Sequence, residues 1–206
     1  MRNDQLTVFV IDDDASVRDS LALMLGLSGY RTALFADAEA FLHRVGEADI
    51  GACIVDLRLP GMNGLELQAA LQKRGIALPV IIITAHGDVP AARRAFHADA
   101  IDFLEKPFPP AQLMAAIERA FGVEKQRVLR AESRQAKENK LRTLTERERE
   151  VLKRIGHGLH AKEIAATLGI SPRTVEVHKA HIMAKLNVRN AVELVRYTLD
   201  ASPDTE

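Results

Sequence analysis

The sequence predicts an α/β fold with a five-stranded, doubly wound parallel sheet, followed by a small all-α domain. Residues 1–122 alternate short β-branched runs with amphipathic helical stretches, which is typical of a parallel sheet covered by helices. Residues 143–206 instead form a succession of capped helical segments around a glycine turn. A charged stretch, residues 123–142, separates the two patterns.

Five strands are predicted in the first domain. The first, third and fourth are almost wholly apolar, as expected of parallel strands that are buried on both faces. The second is more mixed, so we expect it at an edge of the sheet. The predicted strands are Thr7–Ile11, Arg31–Phe35, Ala52–Val55, Val80–Thr84 and Ile101–Leu104.

Apolar residues at helical spacing between the strands predict helices that face the core. Gly29 and Gly75 lie where two of these helices should end. The fifth helix is expected to open at Pro109-Pro110, because proline is tolerated in a first turn. The core-facing residues are Val17, Leu21, Met24 and Leu25 in the first helix and Leu65, Leu67 and Leu71 in a later one.

The stretch 123–142 is rich in Glu, Lys, Arg, Gln and Ala and has too few large apolar residues for a core, so we predict a helical linker. Val128 and Leu129 are too isolated to predict a long coiled coil, although a short helical pairing segment stays open. The all-α domain then begins at Thr145, which can cap a helix while Glu148 reaches back to its backbone.

Two helices joined by a glycine turn follow. Lys162–Leu168 is predicted as a short helix and Gly169-Ile170 as the turn. Ser171-Pro172 supplies a capping hydroxyl and a first-turn proline for a longer helix that extends to Leu186. A last helix is predicted over Ala191–Leu199.

The composition indicates a soluble, cytoplasmic protein with no membrane partner. Cys53, the single cysteine, lies in an apolar run and has no disulfide partner within the chain, which fits a reducing compartment. No segment approaches the ~18 uninterrupted apolar residues of a membrane span, and the N-terminus lacks the pattern of a signal peptide.

A formal net charge of zero hides an asymmetry between the two halves. Residues 1–122 carry 11 basic and 16 acidic side chains, a net charge of −5, whereas the remainder carries 17 and 12, a net charge of +5. The basic half is compatible with a polyanion such as DNA, although a merely solvated basic surface is the alternative.

Polar residues follow four of the predicted strands. Asp12-Asp13, Asp56, Thr84 and Lys106 each lie at the carboxyl end of a strand, and in a doubly wound sheet these ends share one crevice. Three crowded carboxylates would repel one another unless a hard cation such as Mg²⁺ held them. A carboxylate beside such a metal can attack a phosphoryl group, while a lysine neutralises charge on its oxygens. A lone Asp-Asp pair is more often a cap or a solvated turn, but the joint placement at four strand ends is harder to explain as caps.

Residues 7–121 resemble a two-component receiver domain. The resemblance rests on Val10-Ile11-Asp12-Asp13-Asp14, Val55-Asp56-Leu57-Arg58-Leu59-Pro60-Gly61-Met62-Asn63-Gly64, Ile83-Thr84-Ala85 and Glu105-Lys106-Pro107-Phe108. It implies the strand order 2-1-3-4-5 and a phosphoryl group accepted by Asp56 from a sensor histidine kinase. It also implies Mg²⁺ held by Asp13, Asp56, the backbone carbonyl of Arg58 and, through water, Asp12, with Lys106 in contact with the phosphoryl group.

The same resemblance implies a switch pair, in which Thr84 moves toward the phosphoryl group and the ring of Phe103 turns inward. It implies a cis Lys106-Pro107 bond, and the small Ala85 should leave room for the phosphoryl donor. One residue departs from the family pattern, since Asp99 stands where related receivers commonly have glycine. We therefore expect a different turn before strand five, which leaves the dimer interface open.

Residues 144–198 resemble the four-helix domain of NarL/FixJ regulators, with a LuxR-type helix-turn-helix. The resemblance rests on Leu144-Thr145-Glu146-Arg147-Glu148, on the run from Lys162 to His178 and on Ile182-Met183-Ala184-Lys185-Leu186. In the longer helix, Val175, Ile182 and Leu186 follow the helical period and should face the core, so the opposite face would enter the major groove. Lys162, Arg173, Thr174, His178 and Lys179 are candidates for phosphate contacts, and Glu176, Val177 and Ala180 for base contacts.

Together these observations predict a transcription regulator that is switched by phosphorylation, binds double-stranded DNA, forms a homodimer when phosphorylated, contacts RNA polymerase at promoters and is not an enzyme. One alternative is an aspartyl-phosphate hydrolase, but Asp56-Leu57-Arg58 lacks a second acid two residues after the nucleophile. Others are a receiver that is never phosphorylated and a helical domain that binds protein. The close histidine pairs, His157/His160 and His178/His181, are expected to be surface or phosphate-contacting imidazoles, because a zinc site would need further ligands.

Overall fold

The computed structural model describes residues 6–85 and 87–199, and the chain divides into two compact units between Val128 and Leu129. The ends of the predicted domains at residues 1 and 206 lie outside the described residues. The first unit contains β1 (Thr7–Ile11), α1 (Ala15–Leu27), β2 (Arg31–Phe35), α2 (Ala38–Arg44), β3 (Gly51–Asp56), α3 (Gly64–Lys73), β4 (Val80–Thr84), α4 (Val89–His97), β5 (Asp102–Glu105) and the first part of α5 (Pro110–Arg142).

The strands form one parallel sheet in the order β2-β1-β3-β4-β5, which confirms the predicted fold class and the edge position of β2. Strand β3 is longer than predicted, because Asp56 still pairs with Ile83 and because Gly51 pairs with Thr7. A Cβ atom on Gly51 would lie 1.9 Å from the carbonyl oxygen of Thr7, so glycine permits this close approach. Strand β5 is shifted by one residue from the prediction.

Helices cover both faces of the sheet with separate apolar clusters. On one face, Phe41 of α2 and Leu67 of α3 belong to a cluster with Ile82 of β4. On the other, Leu25 of α1 and Ile117 of α5 belong to a cluster that includes alternate residues of the same strands. This two-sided cover explains why β3 and β4 are buried along their whole length.

The second unit contains the rest of α5 and then α6 (Glu146–Gly156), α7 (Ala161–Leu168), α8 (Pro172–Leu186) and α9 (Ala191–Leu199). Thr145 and Glu148 form the predicted capping box, and Ser171 caps α8 through the backbone N–H of Thr174. Gly169 ends α7 with φ 65°, a left-handed conformation that favours glycine. The stretch predicted as a linker is helical, because α5 continues to Arg142.

Across the described residues, every helix is either too short or too polar to traverse a lipid bilayer.

Candidate functional site

Three carboxylates meet at the carboxyl end of the sheet. Asp12 and Asp13 follow β1 directly, and Asp56 ends the neighbouring β3, whose Val55 pairs with Ile11. Carboxylate oxygens of the three aspartates lie within 4.8 Å of one another. Asp12 is fully buried and Asp56 is 8% exposed, whereas Asp13 is exposed. The structure thus brings together the three acids that the sequence placed at adjacent strand ends.

Lys106, which follows β5, contributes positive charge to this cluster. Its Nζ donates hydrogen bonds to Oδ2 of Asp12 at 2.7 Å and to Oδ2 of Asp56 at 2.6 Å. Burial lowers the pKa of Lys106, but these bonds outweigh that effect and raise it above its ordinary value. Burial raises the pKa of Asp56, and the hydrogen bond from Lys106 offsets this only in part. One ammonium group therefore bonds two of the three carboxylates, and the cluster keeps an excess of negative charge.

Backbone groups orient the two buried carboxylates. The second oxygen of Asp56, Oδ1, accepts a hydrogen bond from the N–H of Arg58 at 2.8 Å. Oδ1 of Asp12 accepts one from the N–H of Asp14 at 2.9 Å. Both side chains are thus held at both oxygens, which fixes their orientation. The bond before Pro107 is cis, as the family resemblance implied.

Two residues without a predicted role, Gly64 and Glu39, hold the loop after β3. Gly64 begins α3 so close to β3 that a Cβ atom would lie 2.6 Å from the carbonyl oxygen of Asp56. Glu39 of α2 accepts a hydrogen bond on Oε1 from the N–H of Met62 at 3.2 Å. Gly64 stands in a recognisable motif, whereas Glu39 carries no sequence signal, because its partner lies 23 residues away.

The predicted switch residues lie on neighbouring strands beside a glycine. Thr84 is fully buried at the end of β4, and Phe103 of β5 is half-buried. A Cβ atom on Gly87 would lie 3.1 Å from the ring of Phe103 and 3.6 Å from Cγ2 of Thr84. The carbonyl oxygen of Thr84 also accepts a hydrogen bond from the N–H of Lys106 at 2.7 Å, which ties β4 to the acidic cluster.

Asp99 adopts φ 62° in the turn before β5. This is the left-handed region, which glycine enters at little cost and which aspartate tolerates better than most residues. Asp99 therefore adopts a backbone conformation that glycine would also adopt at this position.

The acidic cluster fits a bound Mg²⁺. This ion prefers oxygen ligands and a compact arrangement of carboxylates, and Asp12, Asp13 and Asp56 supply both. Their excess negative charge and the raised pKa of Asp56 are what a divalent cation would relieve. The backbone carbonyl of Arg58 lies two residues after Asp56 in the same loop.

In the second unit, α8 presents a mixed polar and apolar surface to solvent. Val175, Ile182 and Leu186 are buried, which confirms the predicted core face. Val177 is 48% exposed, and Lys179 forms an ion pair with a carboxylate on the same helix. Among the predicted contact residues, Lys162, Arg173, Thr174, Glu176, Val177 and Ala180 are exposed, and His178 and Lys179 are half-buried.

Comparison with known proteins identifies both units. Residues 8–118 match the family model of the response regulator receiver domain, and residues 142–198 match that of bacterial regulatory proteins of the luxR family. The chain is 43% identical to the transcriptional regulatory protein FixJ of Azorhizobium caulinodans, over 95% of this chain and 93% of that protein. It is 44% identical to the transcriptional regulatory protein FixJ of Rhizobium meliloti, over 94% of this chain and 95% of that protein.

Among solved structures, the response regulator StyR is similar to this chain at 41% identity and a TM-score of 0.83. The similarity covers 95% of this chain and 98% of the StyR chain.

Proposed function

This chain belongs to the two-component response regulators that join a receiver domain to a LuxR-type DNA-binding domain, and we propose that a sensor histidine kinase switches it by Mg²⁺-dependent phosphorylation of Asp56. The observation that carries the proposal is the position of Asp56 in the acidic cluster, with Lys106 Nζ 2.6 Å from its carboxylate. The assignment gives residues 1–122 the role of receiver, 123–142 that of linker and 143–206 that of DNA-binding domain.

Asp56 acts as the nucleophile. One of its carboxylate oxygens forms a bond to phosphorus while the P–N bond to the kinase histidine breaks, and the electron pair of that bond stays on the imidazole. Lys106 neutralises charge on the transferred oxygens. Mg²⁺ would be held by Asp13, Asp56, the carbonyl of Arg58 and, through water, Asp12. It would stabilise the negative charge on the oxygens of the phosphoryl group.

Thr84 and Phe103 transmit the change. The side chain of Thr84 would move toward the attached phosphoryl group and donate a hydrogen bond to it. The ring of Phe103 would then turn inward, into the space that Thr84 vacates. Gly87 supports this role, because a side chain at this position would crowd the ring of Phe103 and contact Thr84, and would hinder their repacking. The phosphoryl group then favours the second conformation by binding it more strongly than the first.

The output is DNA binding by α8. Its outward face would enter the major groove, with phosphate contacts from Lys162, Arg173, Thr174, His178 and Lys179 and base contacts from Glu176, Val177 and Ala180. Phosphorylated chains would pair as a homodimer on two half-sites, where contact with RNA polymerase alters transcription. The exposure of most of these residues supports this arrangement.

Intact-mass analysis after incubation with Mg²⁺ and acetyl phosphate tests the switch chemistry. We expect one labile phosphoryl group on the wild type and none on Asp56→Asn or without Mg²⁺. An adduct that persists on Asp56→Asn would contradict the assignment. Failure of every donor would favour a receiver that works without phosphorylation, and repeated turnover of phosphate esters would favour the hydrolase alternative.

A further inference from the structure

Helix α8, the proposed DNA-binding helix, accepts a hydrogen bond from a residue of α5. That residue precedes the segment that matches the LuxR-type family model. Lys140 Nζ lies 3.2 Å from the carbonyl oxygen of Leu186, the last residue of α8, whereas the family match begins at residue 142. Leu141, next to Lys140, packs against the apolar cluster of this unit. The last turns of α5 are therefore built into the helical unit.

Lys140 meets α8 at the end where a cation is favourable. The last carbonyl groups of a helix lack partners within the helix and carry partial negative charge, so an ammonium group there both bonds and stabilises. Helix α7 ends in the same way, because Arg147 Nη2 donates to the carbonyl oxygen of Leu168 at 2.5 Å. Both helices of the helix-turn-helix are thus capped by basic side chains from outside the motif.

Other contacts at the same end of α8 are made by a different helix. Lys185 donates to Oε2 of Glu148 on α6 at 2.6 Å, and the side chain of Leu186 is fully buried. Helices α5 and α6 therefore both hold the C-terminal end of α8. The proposed DNA contacts at Arg173, Thr174 and Glu176 lie toward the opposite end.

From this geometry we infer that Lys140 is a positioning residue for DNA recognition, which sets the tilt of α8 without touching DNA. The inference rests on the proposed function of α8. A helix of 15 residues is about 22 Å long, so a tilt of about 5° at its C-terminus moves its N-terminal residues by roughly 2 Å. Contacts to base edges fail at such displacements, whereas nonspecific attraction to phosphates tolerates them.

The test compares three full-length variants, Lys140→Met, Lys140→Arg and Arg130→Met. Arg130→Met is the control, because it also removes one positive charge from α5, at an exposed position. The probes are a duplex selected by the wild type from a random library, and poly(dI-dC). We expect Lys140→Met to bind the selected duplex about 5- to 10-fold more weakly, with unchanged affinity for poly(dI-dC) and an unchanged salt dependence. Lys140→Arg should restore binding and Arg130→Met should leave it intact.

A salt slope that falls by about one in Lys140→Met would mean direct phosphate contact and would overturn the inference. Unchanged affinity for the selected duplex, or an equal loss on both probes, would overturn it as well.

Amide hydrogen exchange near Leu186 provides a readout without DNA, and we expect faster exchange in Lys140→Met only. If the wild type selects no duplex even after incubation with Mg²⁺ and acetyl phosphate, the proposed function fails, while hydrogen exchange still tests the contact between Lys140 and Leu186. Lys140→Gln replaces Lys140→Met should the latter not fold.

Discussion

The ammonium group of Lys106 lies 2.6 Å from the carboxylate of Asp56, although the two residues are 50 positions apart in the chain. The same ammonium group also bonds the fully buried Asp12. Lys106 is therefore a counter-ion to two buried carboxylates, in addition to its proposed role in phosphoryl transfer.

Replacing Lys106 by methionine should destabilise the metal-free protein by about 2 kcal/mol, because it leaves carboxylates together in a partly buried site without their counter-ion. Mg²⁺ restores positive charge, so it should raise the melting temperature of Lys106→Met by more than that of the wild type. Thermal unfolding with and without Mg²⁺ measures both effects. Arg119→Met is the control, since the Arg119–Asp102 pair is exposed and should contribute less than about 1 kcal/mol. Equal Mg²⁺ effects on Lys106→Met and wild type would refute this account.

Two glycine-to-alanine substitutions should have opposite effects. Gly64→Ala places a methyl group 2.6 Å from the carbonyl oxygen of Asp56, so it should cost about 1–3 kcal/mol and slow phosphorylation. Gly26→Ala, at an exposed position within α1 with no atom within 4 Å, should stabilise the protein by about 0.5–1 kcal/mol. Urea unfolding of both variants measures the difference. Comparable stabilities would show that the loop after Asp56 yields more easily than the geometry indicates.

Much of the first unit could be predicted because its signals are local. An apolar run such as Val80–Thr84 leaves little choice of element, and a polar residue directly after such a run must lie at the crevice of a parallel sheet. Helices α2 and α4 received no prediction of their own, because they have only 7 and 9 residues and thus few periods of a hydrophobic pattern.

What the sequence could not predict are contacts between distant side chains and backbone groups. Glu39 resembles any exposed glutamate until the loop after β3 is seen to lie against it. Lys140 falls within the stretch predicted as a charged, helical linker, where a lysine side chain is most often solvent-exposed. Its bond to Leu186 depends on where α5 packs, which no periodicity in the linker encodes.

Acid should destabilise the second unit through Glu148, whose carboxylate is buried and accepts hydrogen bonds from Lys185 at 2.6 Å and from the N–H of Thr145 at 2.7 Å. Burial alone would raise the pKa of Glu148, but these bonds lower it below its ordinary value of 4.5. The stabilisation is therefore complete above that value and is lost as pH falls through the lower pKa of the folded state. Hydrogen exchange of α6 and α8 between about pH 6 and pH 3 measures it.

Glu148→Gln should remove that acid-dependent step and be less stable than wild type at neutral pH. Lys185→Met should also reduce it, since the hydrogen bond from Lys185 is the main cause of the lowered pKa. An unchanged acid profile in Glu148→Gln would assign the pH dependence to other carboxylates.

Val177 should carry sequence preference without contributing to electrostatic affinity. It is a β-branched apolar side chain, 48% exposed on the outward face of α8, and such a side chain can contact the methyl group of thymine in the major groove. Val177→Ala should relax the preference at one base position at a cost of about 1 kcal/mol and leave the salt dependence unchanged.

Lys179→Ala is the comparison variant. It should instead weaken binding to all sequences and lower the salt slope by about one. Selection from a random duplex library with each variant, followed by salt titrations, separates these effects. Uniform weakening by Val177→Ala would show that this face of α8 does not contact base edges as proposed.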